Sequence, residues 1–180
     1  MKKEVKLKAN YTIIKAPEKI INKIIKELGC TRKQIATKLR DYKGLFFKDL
    51  KIYQGHNVVP LSIRKSLAAL ISWITVTPTF KANYIALGTD GTQETELDTS
   101  LAAEAIRWQF TNRYYLDNVA YLDKFFWSTE VGGNTYLEAG VFIDGTAATN
   151  SGFILSRITM DEQIAATETL TINVSVTISW

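Results

Sequence analysis

The stretch TLTINVSVTISW, residues 169–180, alternates strictly between apolar and polar side chains. Its apolar members are Leu170, Ile172, Val174, Val176, Ile178 and Trp180. Successive side chains of a β-strand point to opposite faces of the sheet, so this stretch predicts a strand with one buried face and one face lined by hydroxyl groups. We expect it to lie in an antiparallel sheet.

The same two-residue period recurs upstream, in segments separated by turn-rich gaps. The predicted strands span 82–87, 105–114, 118–129, 134–143, 152–160 and 169–180. Several short strands divided by Gly, Asn, Asp and Ser predict a sandwich or barrel. We therefore expect a mainly β protein whose residues 58–180 form an antiparallel, jelly-roll-like β-sandwich.

The first third of the chain has helical periodicity instead. Pro17 suits the first position of a helix, its apolar residues recur at helical spacing, and Gly29 suits the end. Thr31 and Gln34 have the spacing of a capping box for a second helix. The pattern predicts a helical pair over 17–43.

Three flanking segments are also assigned. Residues 1–15 alternate with a period of two and predict a short strand. Residues 44–57 predict an extended connector or strand, and residues 58–74 predict a third helix that opens the sandwich.

Charge is divided unevenly along the chain. Residues 1–65 contain 17 of the 22 basic residues but only five of the 18 acidic ones, and the whole chain carries +4. Residues 1–57 are therefore predicted to be a basic helical docking segment, either on an acidic protein surface or in non-specific contact with nucleic acid. The candidates for the docking face are Lys19, Lys23, Lys26, Arg32, Lys33, Lys38 and Arg40. The alternative is that this segment is simply solvated.

Composition narrows the classes of protein further. Hydrophobic residues make up 46% and charged residues 22%, as in an ordinary globular domain. A single cysteine, Cys30, excludes an intramolecular disulfide and a cysteine metal cage. No apolar run approaches the roughly 18 residues of a membrane span, and the first residues lack the apolar region of a secretory signal. We expect a soluble protein made in the cytoplasm.

Four short motifs, in order, carry a resemblance to a known family. They are ANYIALGTDGT at 82–92, LDTSLAAEAIR at 97–107, YLEAGVF at 136–142 and GFILSRITM at 152–160. Together with the final strand they resemble a module of the outer accessory proteins of tailed bacteriophages, over roughly residues 58–180. The insertion of Asp90 into the usual Gly-Thr-Gly suggests a turn one residue longer.

The resemblance implies a non-enzymatic virion structural protein that binds other virion proteins and forms homo-oligomers. Within that class, the small size favours a capsid decoration or head-fibre protein over a tail or baseplate component. The resemblance gives no cofactor and no metal.

Two pairs of charged residues lie inside otherwise apolar stretches. Glu104 with Arg107, and Glu138 with Arg157, are predicted to be structural ion pairs, because an unpaired buried charge is costly. The alternative is a pair of glycosidase carboxylates, Glu104 and Glu138. His56, the only histidine, has no nucleophile motif near it and is predicted to lie in a loop.

Three further alternatives remain at this stage. The carboxylates of Asp90, Glu94, Glu96 and Asp98 suit a Ca²⁺ ion, although their spacing matches no EF-hand and an acidic surface loop is the simpler interpretation. The stretch 24–39 resembles the start of a helix-turn-helix, but a β-prone segment follows it. The aromatic residues along 105–129 fall on both faces of their strands, so one face is expected to fill the core. The other face is expected to pack against copies of the module or to stack on host glycans.

Overall fold

The computed structural model describes residues 6–41, 50–56, 59–72, 74–75 and 78–179. In these ranges the chain forms nine strands and four helices. The strands are β1 (Lys6–Pro17), β2 (Lys51–His56), β3 (Ala82–Gly88), β4 (Glu104–Gln109), β5 (Asn112–Leu116), β6 (Val119–Phe126), β7 (Thr135–Ile143), β8 (Phe153–Gln163) and β9 (Glu168–Ser179). The helices are α1 (Glu18–Leu28), α2 (Ile35–Asp41), α3 (Leu61–Ile71) and α4 (Ser128–Val131).

The strands form two antiparallel sheets. Sheet A has the order β2-β1-β9-β6-β5, and sheet B has the order β4-β3-β7-β8. The prediction of a mainly β protein with antiparallel strands is confirmed.

Side chains of both sheets meet in one buried cluster. Tyr11 and Ile13 from β1 pack in the same cluster as Ile85 from β3 and Val141 from β7. The Tyr11 hydroxyl lies 2.7 Å from the Ser156 hydroxyl of β8, which joins the two sheets across 145 residues of sequence. Burial raises the pKa of Tyr11 well above its usual range.

Strand β9 is the central element of sheet A, flanked by β1 and β6. Its apolar face is buried from Leu170 to Val176, whereas Ile178 near its end is 39% exposed. Its polar face is covered too at the same end, where Asn173 donates a hydrogen bond of 3.1 Å to the Ala36 carbonyl of α2. The polar half of the pattern therefore faces a helix there, which strand periodicity cannot reveal. Trp180, counted in the predicted strand, lies outside the described residues.

The residues before 57 contribute strands to sheet A. All twelve residues of β1 pair with β9, and β2 pairs with the other edge of β1. The predicted division at residue 57 thus runs between two parts of a single sheet. The strand predicted for 1–15 is confirmed from Lys6 onward.

Helices α1 and α2 cover the outer face of sheet A. A second buried cluster there contains Ile21, Ile24, Ile35 and Leu39 from the helices and Phe125 from β6. Helices this short are not stable alone in water, so their apolar faces need the sheet. Gly29 ends α1 in the left-handed conformation, with φ of 58°.

The segment 105–114, predicted as one strand, is two strands in different sheets. The chain leaves sheet B after Gln109 and enters sheet A at Asn112. Phe110 is buried at this passage, and its amide donates to the Asn83 carbonyl of β3. The alternation of apolar and polar residues continues where the chain passes from one sheet to the other. The sequence pattern therefore does not show that 105–114 is divided into two strands. Similarly, β6 ends at Phe126, and residues 128–131 form α4 instead of extending the strand.

Candidate functional site

The carboxylate of Glu138 lies at the centre of a buried hydrogen-bond network on sheet B. It accepts hydrogen bonds from the amides of Ala102, at 3.0 Å, and Ala103, at 2.7 Å. It also accepts one from Arg157 Nε at 2.8 Å, and its side chain has no solvent exposure. Two amides and a guanidinium therefore hold both carboxylate oxygens.

Arg157 uses its remaining donors on the loop between β3 and β4. Its Nη1 donates to Asp98 at 2.8 Å, and its Nη2 donates to the Thr92 carbonyl at 2.8 Å. Burial opposes the charge of Arg157, but the bonds to Asp98 and Glu138 outweigh it and raise the pKa of Arg157. Burial likewise works against ionisation of Asp98, yet hydrogen bonds from Arg157 and Thr95 lower its pKa.

Gly88 completes this network sterically. A Cβ atom at Gly88 would collide with Glu138 Oε1 and would lie 2.6 Å from the Ala103 carbonyl oxygen. The four motifs quoted above therefore meet in one place. Gly88 and the Thr92 carbonyl come from the first motif, Asp98 and the Ala102 and Ala103 amides from the second, Glu138 from the third and Arg157 from the fourth. The pair Glu138–Arg157 predicted from the sequence is formed.

The second predicted pair, Glu104–Arg107, holds another loop. Arg107 binds both carboxylate oxygens of Glu104, each at 2.7 Å, and both side chains are buried. Arg107 also donates to the Ser151 carbonyl at 2.7 Å, while Glu104 accepts from the Asn150 amide. The Arg107 guanidinium and the Asn150 amide thus bind the carboxylate of Glu104. The Glu104–Arg107 pair thereby clamps the 144–152 loop to β4.

The acidic residues of the 90–98 loop are dispersed among separate partners. Asp90 accepts from the Thr92 amide, Asp98 binds Arg157 and Thr95, Glu94 accepts from the Thr159 hydroxyl, and Glu96 binds Arg64. Hydrogen bonds from Thr92 lower the pKa of Asp90. Within the described ranges, no group of three His, Cys, Asp or Glu residues is placed to hold a metal ion.

Five of the seven residues of the predicted basic face are exposed. Lys19, Lys23 and Lys26 lie exposed on α1, and Arg32 and Lys33 lie exposed in the turn before α2. Lys38 is half-buried on α2.

Arg40 does not belong to this face, which corrects the prediction. Its Nη1 lies 2.8 Å from Asp123 Oδ1, and only 12% of its side chain is exposed. It sits over the rings of Tyr114 and Tyr121, 4.9 Å from each centroid. Arg40 points into the fold because Asp123 is a buried carboxylate that needs a cation.

Asp123 was missed at the sequence level. It is fully buried on β6, where it accepts hydrogen bonds from Thr37 at 2.9 Å and from Asn173 at 2.8 Å, besides Arg40. The signal available was a carboxylate within the apolar run YLDKFF at 121–126. The same reasoning that singled out Glu138 applies to it.

Two adjoining clefts form what we call the basic groove, beside α2 and the β5–β6 hairpin. One, of about 440 Å³, is lined by Lys33, Gln34, Thr37, Lys38, Thr111 and Asn112. The other, of about 150 Å³, is lined by Arg32, Lys33, Thr111, Lys124, Phe125, Trp127 and Glu130. Lys33 and Thr111 line both, so the two clefts adjoin each other. Among these described lining residues, four are basic and one is acidic.

Two cations of the basic groove are held in place by neighbours. The Arg32 guanidinium lies 4.5 Å from the centroid of the Trp127 ring. Lys124 Nζ lies 3.6 Å from Glu130 and 4.8 Å from the ring centroids of Trp108 and Phe126. Burial lowers the pKa of Lys124, and Glu130 offsets part of that effect. The groove is suited to bind anionic groups.

Comparison with protein-family models, with curated proteins and with solved structures finds no match for this chain. The site is therefore interpreted from its own geometry.

His56 is the last residue of β2, in register with Asn10 of β1, and not in a loop as predicted. Within the described ranges, no helix combines the length and apolarity that a membrane crossing needs.

Proposed function

We propose that this chain is a non-enzymatic structural protein of a tailed-bacteriophage particle, and that it is a capsid decoration or head-fibre protein. The supporting observation is that the four family-like motifs converge on Glu138. Their charged residues hold loops to sheet B. Charged residues that hold loops to a sheet in this way support a structural role for these motifs.

The fold belongs to this proposal as well. We propose that sheets A and B form a jelly-roll-like sandwich, with the shared cluster around Tyr11 and Val141 as its interior. Rigid sandwiches suit projection from a particle surface, because their loops and edges are presented on a fixed frame.

Attachment to the particle is assigned to the basic groove. Arg32, Lys33, Lys38 and Lys124 concentrate positive charge beside α2. The partner we propose is an acidic segment of a neighbouring virion protein, because complementary charge steers docking and fixes orientation. Non-specific contact with packaged nucleic acid would use the same charges.

Helix-turn-helix DNA reading is less well supported. A recognition helix must present its side chains to the major groove. Instead α2 buries Ile35, Ala36 and Leu39 and directs Arg40 to Asp123. One observation supports host-glycan binding: the aromatic rings of Trp108, Tyr114 and Tyr115 are exposed and could stack on sugars.

Quantitative mass spectrometry of purified particles tests the proposal. Hundreds of copies per particle are expected of a decoration protein, whereas three to about a dozen would indicate a tail, baseplate or vertex component. Absence of the chain from intact particles would refute the virion assignment. Binding of the same protein to a glycan array would support host-glycan attachment, and no binding would count against it.

The attachment surface is tested with two charge reversals. Lys33→Glu in the basic groove is expected to weaken binding to particles assembled without this chain by at least about tenfold, with the loss largest at low salt. Lys65→Glu, exposed on α3, is the matched control and should bind normally. Equal binding by both variants would show that the chain attaches through a surface other than the basic groove.

A further inference from the structure

Strand β5 is the outermost strand of sheet A at the β6 side, within the described ranges. Its side chains are unusually exposed for their size, with 80% of Tyr115, 61% of Leu116 and 38% of Tyr114 open to solvent. An edge strand presents unpaired N–H and C=O groups and is normally protected by lysines, proline or a bulge. From Asn112 to Leu116, β5 contains no lysine or proline and pairs with β6 without a register shift.

The edge is also held rigid from behind. Tyr114 stacks on Tyr121 with 5.0 Å between centroids, beneath Arg40. Asn112 donates a hydrogen bond of 2.9 Å to the Thr37 hydroxyl of α2. A strand already ordered in this way loses little conformational entropy when a partner binds.

We infer that β5 pairs antiparallel with β5 of a second copy, around a two-fold axis that passes beside Tyr115. In this register Tyr115 lies opposite its own copy, and Tyr114 lies opposite Leu116 of the second copy. Arg113 then faces Asp117 of the second copy, which follows the last residue of β5 in the hairpin turn with a φ of 53°, and the symmetry repeats this pair. Opposite charges that face each other across paired strands stabilise them, and an isologous interface must be self-complementary.

Arg113 is available for this pairing. One nitrogen donates to the Ala82 carbonyl at 3.2 Å, and a guanidinium has five N–H donors. Asp117 is exposed at the turn that follows β5. The dimer would join two five-stranded sheets into one continuous sheet.

At the opposite edge of sheet A, strand β2 (KIYQGH) has Lys51 but no acidic residue within its bounds. We therefore place the second copy at the β5 edge, where Arg113 and Asp117 supply opposite charges. The inference concerns the chain alone and does not depend on the virion assignment.

Disulfide trapping tests the register directly. In a Cys30→Ser background, Tyr115→Cys places the two sulfurs across the axis, where directly opposite strand residues have Cα atoms about 4.5 to 5.5 Å apart. Leu116→Cys is the matched control, since the symmetry offsets it from its own copy by two residues. We expect rapid dimer formation by Tyr115→Cys under mild oxidation and little by Leu116→Cys.

Charge exchange tests the same interface in solution by sedimentation equilibrium. Arg113→Asp and Asp117→Arg should each weaken dimerisation by at least about tenfold, and the double variant should restore it. Thermal melting of each variant shows whether the fold is kept, and Lys51→Asp on β2 is the control.

A wild-type chain that stays monomeric up to about 1 mM would overturn the inference. So would equal trapping of the two cysteine variants, a double variant no tighter than the single ones, or loss of the dimer in Lys51→Asp. A disulfide between Tyr115→Cys and a different protein, in place of a second copy of this chain, would also overturn it.

Discussion

Glu138 Oε2 and Arg157 Nε lie 2.8 Å apart on neighbouring strands of sheet B, and neither side chain exposes more than 4% of its surface. In the strand register Glu138 is opposite Thr159, and Arg157 is opposite Gly140, so the pair spans the ladder diagonally. Each partner also binds the 89–103 loop. The pair therefore couples the loop to the sheet, and losing one member leaves the other charged and buried.

Glu138→Gln is expected to destabilise the protein by about 3 kcal/mol, because the buried Arg157 keeps only Asp98 as a counter-ion and the amide nitrogen of Gln cannot accept the hydrogen bonds that a carboxylate oxygen accepts. Urea unfolding at pH 7 measures the change. Glu27→Gln is the control, since Glu27 pairs with Lys23 at 3.7 Å on the exposed face of α1 and should cost under about 1 kcal/mol. Similar losses in both variants would contradict the structural role of Glu138.

Gly88→Ala is expected to cost about 1 to 3 kcal/mol, because the added Cβ would meet Glu138 and the Ala103 carbonyl. Gly91→Ala provides the comparison three residues away, where the nearest atom is 3.5 Å from the added Cβ. Thermal unfolding of the two variants should separate them clearly. A Gly88→Ala protein as stable as wild type would argue against the tight approach at this position.

Asp98 should contribute to the acid sensitivity of the fold. Its pKa is lowered in the folded protein, so the stability it adds is present above the unfolded value of about 3.9 and is lost as the pH falls through the folded pKa. Asp98→Asn should therefore be less stable than wild type at pH 7 and should lose less stability on acidification. Urea unfolding between pH 2 and 7 measures both. Asp161→Asn, exposed on β8, should keep the wild-type pH profile.

Arg40→Met is expected to destabilise the protein by about 3 kcal/mol, because Asp123 would lose its cation while remaining buried. Hydrogen exchange should show faster opening of α2, because the helix loses the hydrogen bonds from Arg40 to Asp123 of β6 and keeps the one from Thr37. Lys33→Met, exposed just before α2, should change stability by under about 0.5 kcal/mol. Unchanged hydrogen exchange of α2 in Arg40→Met would refute the role of the Arg40–Asp123 pair in holding the helix to β6.

Sequence reasoning identified the Glu138 pair and the Glu104 pair because a charge within an apolar run needs a partner close by. It missed the Asp123–Arg40 pair, although the same signal was present at Asp123. There the cation lies 83 residues upstream, on a helix assigned to a docking face. Charge alone did not distinguish Arg40 from its exposed neighbours such as Lys33.

The alternation in 169–180 determined a β-strand and its apolar face, because side-chain direction in a strand follows from backbone geometry alone. The uneven charge of the chain was equally evident in the sequence. Tertiary structure decided that β1 pairs beside β9, that the chain changes sheet at Phe110, and that helices cover the polar face of β9. These outcomes depend on contacts between residues far apart in the chain, where the free energy of burial selects among strand pairings that local patterns leave equal.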